Sequence, residues 1–135
     1  MIKALLPLAL LLAAPAAAQT VEAGETRWDQ LPPVKKKHRP VDASFLTDWT
    51  HNVLRSGECS IPGMTAERFD VSLPYAVYVE PDGTVKRILV SDTGCPGLNT
   101  VLGSTVHEWA QKGDFRPTGE PEPLWYRGRI AFARE

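Results

Sequence analysis

The tetrapeptide Pro81-Asp82-Gly83-Thr84 separates two runs rich in branched and aromatic residues, and it constrains the fold more than any other feature of the chain. Proline presets φ at an early turn position, and glycine accepts the positive φ that other residues resist. Before the turn, Tyr75, Val77 and Val79 alternate with smaller or polar neighbours; after it come Val85 and Ile88-Leu89-Val90. Alternation of this kind marks strands with one buried face, so the segment reads as a β-hairpin.

The flanking segments follow from the same patterns. Ser91 to Gly97 is too rich in turn residues to prolong a strand. Leu98, Val101, Leu102, Thr105, Val106 and Trp109 then recur at helical intervals, starting near Asn99 or Thr100 and ending before Gly113. His107 falls outside that stripe and is expected to be exposed. Leu124 to Ala133 reads as a last strand, with Leu124, Tyr126, Ile130 and Phe132 on one side and Trp125, Arg127, Arg129 and Ala131 on the other. Upstream, Asp42 is placed to cap a helix whose buried stripe is Phe45, Leu46, Trp49, Val53 and Leu54, with Gly57 as its stop.

The start of the chain has a different character. Lys3 precedes an apolar run from Ala4 to Ala14, and Ala16-Ala17-Ala18 offers small residues for cleavage, so residues 1–18 are expected to be a signal peptide and the protein periplasmic. The apolar run is shorter than a membrane span requires. Residues 19–41 read as an extended polar arm punctuated by Pro32, Pro33 and Pro40, with a basic run from Lys35 to Arg39; Trp28 would pin the arm to the domain formed by residues 42–135.

The formal net charge of −1, more negative still once Lys3 is removed, argues against a nucleic-acid binder. Cys59 and Cys95 are the only cysteines, and an exported chain with an even count is expected to join them as a disulfide. Their distances in sequence from His51 and His107 do not match the ligand spacing of structural zinc, and no Cys-x-x-Cys pair is present, so neither a metal site nor a redox dithiol is expected. Ser44, Asp48 and His51 form no recognised nucleophile motif. No catalytic residue and no cofactor are expected.

Taken in order, "DGTV", a strand ending in "SDTG", three residues, "LN", a helix with Trp109, "FRP", Gly119 and a strand ending at Phe132 resemble the C-terminal domain of the TonB energy transducers. Asp82-Gly83, Thr93-Gly94 and Leu98-Asn99 occupy the positions of the family's acidic-Gly, Ser-Gly and Leu-Asp pairs, and the resemblance spans about residues 71–133. The expected fold is α+β: a three-stranded antiparallel sheet packed on a helix, ordered second, first, last, with an additional N-terminal helix. An arm far too short to cross a periplasm, and an apolar start expected to be removed, separate this chain from the family's energy-transducing role.

What the resemblance implies is a non-enzymatic protein-binding module. The last strand would lie at the rim of the sheet and take an extended peptide of an envelope partner, such as an outer-membrane receptor, by strand addition. Trp125, Tyr126, Arg127 and Arg129 are the candidate partner-binding residues, the arginines selecting acidic flanks. The alternatives are that the arm covers this edge, or that a second copy does in a self-associating envelope protein.

Overall fold

The computed structural model describes residues 20–37 and 44–135. The proposed signal peptide lies outside the described residues, as do the cap expected of Asp42 and the basic residues His38 and Arg39.

The architecture is mixed α+β. Its elements are β1 (Thr20–Gly24), a single 3₁₀ turn (Trp28–Gln30), α1 (Ser44–Ser56), β2 (Phe69–Val79), β3 (Val85–Ser91), α2 (Pro96–Gln111) and β4 (Leu124–Arg134). They build one four-stranded sheet of order β1-β3-β2-β4. The expected sequence β3-β2-β4 is present, with both pairings antiparallel. The three-stranded, wholly antiparallel sheet is corrected by β1, which runs parallel to β3 with Thr20 opposite Arg87 and Gly24 opposite Ser91.

Strand alternation sends Phe69, Val71, Tyr75, Val77 and Val79 of β2, with Ile88 and Val90 of β3 and Ile130 and Phe132 of β4, to one face. There they meet Leu98, Leu102 and Val106 of α2 and Leu46 of α1. The hairpin glycine is required twice over. Gly83 has φ 95°, and a Cβ there would sit 2.8 Å from the Phe115 carbonyl oxygen, so the turn lies directly on the bridge between α2 and β4. Gly128 meets a similar demand from a side chain, because Tyr75 lies against the place its Cβ would take.

In α1 the inward stripe is Leu46, Trp49, Thr50 and Val53, at i, i+3, i+4 and i+7. Phe45, expected in that stripe, is 66% exposed because it stands one helical step outside it. Helix α2 begins at Pro96, earlier than Asn99, since proline fits the first turn where no amide partner is needed. The expected disulfide is present: Cys59 and Cys95 are bonded across a sequence separation of 36, with Cα atoms 5.7 Å apart. It ties the loop after α1 to the start of α2, and Cys95 is fully buried.

Candidate functional site

The arm is not merely extended. After β1 it crosses the sheet face opposite the helices, where Glu25 accepts hydrogen bonds from Ser91 Oγ (3.3 Å) and Trp28 Nε1 (3.2 Å). Ala76 of β2 faces that side yet has no exposed surface. A cleft of about 470 Å³ remains beneath the crossing, lined in part by Glu25, Leu31, Ala76, Leu89 and Trp125.

On the far side the arm meets β4. The amide of Arg127 donates to Pro32 O at 2.8 Å, and the amide of Val34 donates to Arg127 O at 2.7 Å, forming a parallel bridge centred on Pro33. Arg127 Nε donates to Leu31 O at 2.8 Å. The arm then leaves β4 for the bridge between α2 and β4. Lys35 O accepts from the Arg116 amide (2.9 Å), the Lys37 amide donates to Asp114 O (2.6 Å), and Lys36 pairs with Phe115. Lys36 Nζ stands 3.5 Å from the centre of the Trp109 ring. Burial lowers its pKa below the ordinary lysine value, with the Asp114 charge opposing the shift.

In an antiparallel ladder, residues alternately bond to the neighbouring strand and point away from it. Arg127 lies opposite Ala76 and directs both backbone groups outward to the arm, so Arg129, Ala131 and Ala133 share its outward phase. All three are exposed. Among the described residues, bridging of this edge by the arm is confined to Arg127. The rim expected of β4 is therefore partly occupied and partly open.

The four candidate partner-binding residues do not share one surface. Trp125, Arg127 and Arg129 lie on the sheet face away from the helices. Trp125 packs on Tyr78 (ring centres 5.4 Å apart) and beneath Arg87 (5.2 Å), whose guanidinium also approaches Glu22 at 3.7 Å. Arg129 reaches back across the sheet to Ser72, donating to its carbonyl oxygen (3.2 Å) and Oγ (3.1 Å). Tyr126 points to the helix side. It lines a pocket of about 240 Å³ with Pro32, Pro33, Val34, Val79 and Thr118, and its hydroxyl is buried with no hydrogen-bond partner among the described residues.

The other singled-out residues have structural settings. His51 Nδ1 donates to Ala66 O at 2.6 Å and so holds the loop that carries Cys59. His107, expected to be exposed, is half-buried with Nδ1 sequestered, because β1 covers that flank of α2; it lines a groove of about 420 Å³ with Val21, Glu22 and Ala23. Asn99 anchors the loop before α2: its Oδ1 accepts from the Thr93 amide (2.9 Å) and Oγ1 (2.7 Å), and its Nδ2 donates to Asp92 Oδ1 (2.9 Å).

Among the described residues no helix is long and apolar enough to cross a membrane, and no group of three or more His, Cys, Asp and Glu side chains is placed to hold a metal ion. Compared with known proteins, the chain matches no family model, no curated protein and no solved structure.

Proposed function

We propose that this chain is an exported binding module of the cell envelope, similar in role to the receptor-binding part of a TonB C-terminal domain, which takes an extended peptide of a partner protein as a further strand along β4. One observation carries this reading. The edge of β4 already holds an extended segment through backbone bonds at Arg127, and the same outward phase continues through exposed Arg129, Ala131 and Ala133. Main-chain bonds of that kind supply affinity in strand addition, while side chains on alternate positions select the ligand. Arg127 and Arg129 stand on one face beside this edge and favour acidic residues in the incoming peptide.

The test is affinity capture from envelope extract with the wild-type chain and with an Arg129→Glu variant as baits. The wild type retains an envelope or outer-membrane protein, and both the charge reversal and raised salt weaken its capture. Equal capture by the two baits, or a captured protein indifferent to salt, contradicts the reading.

A further inference from the structure

The segment Leu31–Val34 occupies β4 in the way a peptide ligand would, but in a form that limits its own hold. In this parallel bridge Pro32 and Val34 are the arm residues whose backbone groups face β4; Pro32 has no amide hydrogen and so cannot extend the ladder toward Leu124, and the arm makes two backbone bonds there. Immediately afterwards the chain turns away to pair with residues 114–116. A peptide that stays extended instead of turning away after this point can continue past Arg127 to Arg129 and Ala131.

The ground beneath the segment is incompletely satisfied. A pocket of about 240 Å³ lies between Pro32–Lys35, Val79 and Tyr126, and the Tyr126 hydroxyl is buried with no hydrogen-bond partner among the described residues. A buried polar group in that state opposes closure of whatever covers it. The segment is nevertheless kept close. β1 tethers it on one side, and on the other Lys36, seated over Trp109 and paired with Phe115, tethers it again. Weak local contacts held between two firm attachments give a high local concentration with easy release.

We propose that Leu31–Val34 is a built-in occupant of the β4 peptide site, which an incoming strand must lift away before it pairs along the whole edge. This rests on the strand-addition reading given above. The arm therefore acts as a threshold: peptides that pair only beyond Arg127 bind weakly, and those that displace the arm bind along the full strand.

The test uses the full chain and a labelled synthetic peptide copying residues 29–37 with Pro32→Val and Pro33→Val, followed by fluorescence anisotropy. Val34→Pro removes the amide that bonds to Arg127, and Lys36→Ala removes the cation from Trp109 without touching the β4 contact. Both variants are expected to bind the peptide at least tenfold more tightly than the wild type. Equal, measurable affinity for all three proteins overturns the displacement proposal while leaving strand addition standing. Absence of binding to all three overturns strand addition itself, and this inference with it.

Discussion

The amide of Val34 donates to the carbonyl oxygen of Arg127 at 2.7 Å, which joins the start of the chain to its last strand. Because β1 is paired at the opposite rim of the sheet, the stretch between Thr20 and Val34 spans the sheet from edge to edge. The arm is thus part of the domain. Its attachment at Lys36 is expected to hold it there: a cation over an aromatic ring contributes roughly 0.5–2 kcal/mol, depending on how far it is desolvated. Lys36→Ala should lower stability by about that amount in denaturant unfolding, with faster amide exchange at Val34 and Lys37.

The bond between Cys59 and Cys95 closes a loop across a sequence separation of 36. Under the chain-entropy account this contributes about 3–4 kcal/mol through the unfolded state. A Cys59→Ser/Cys95→Ser double variant, or the wild type under reductant, should show a comparable loss in denaturant titrations. An unchanged midpoint would remove the bond from the account of stability.

Asp92 accepts from the Gly94 amide at 3.0 Å and from Asn99 Nδ2 at 2.9 Å, and these bonds, the Gly94 amide first, hold its carboxyl below the usual aspartate pKa. A carboxylate depressed in the folded state stabilises above its unfolded pKa, and the contribution is lost as pH falls through the folded value. Acidification below pH ~4 should therefore loosen the loop from Asp92 to Cys95 before the hairpin. The amides of Thr93 and Gly94 report this in an NMR titration. Asn99→Ala should produce the same loosening at neutral pH and cost about 1–3 kcal/mol, because Thr93 loses its acceptor.

A Cβ on Gly103 of α2 would come within 2.5 Å of Val21 Cγ1 in β1. Gly103→Leu should therefore push β1 from the edge of β3 while leaving the hairpin in place. Amide exchange in β1 should rise sharply, with β2 and its partners little affected. Global unfolding at once would show that β1 is integral to the core.

The parts legible in the sequence are those decided locally. Gly83, with its flanking alternation, specifies a hairpin because the turn and the period of two act within a few residues. The α2 stripe is legible for the same reason, and a chain with two cysteines leaves a single pairing. β1 carried no comparable signal: Thr20 to Gly24 is short and mostly exposed, and its parallel partner is more than sixty residues away in sequence. Missing β1 also misplaced His107, whose burial depends on that strand. At the candidate site, alternation correctly separated Trp125, Arg127 and Arg129 from Tyr126. It carried no information about where the arginines would bond, because the Leu31 and Ser72 carbonyl oxygens have no sequence signature and the Ser72 hydroxyl, which also accepts from Arg129, lies 57 residues away in sequence.

Residue-resolved amide exchange along β4 in the isolated chain tests the central claim most directly. The account predicts alternation: slow exchange at Gly128, Ile130 and Phe132, fast exchange at Arg129, Ala131 and Ala133, and an intermediate rate at Arg127 where the arm bonds. Uniformly slow exchange across Arg129, Ala131 and Ala133 would mean that the edge is already closed, and would contradict strand addition at β4.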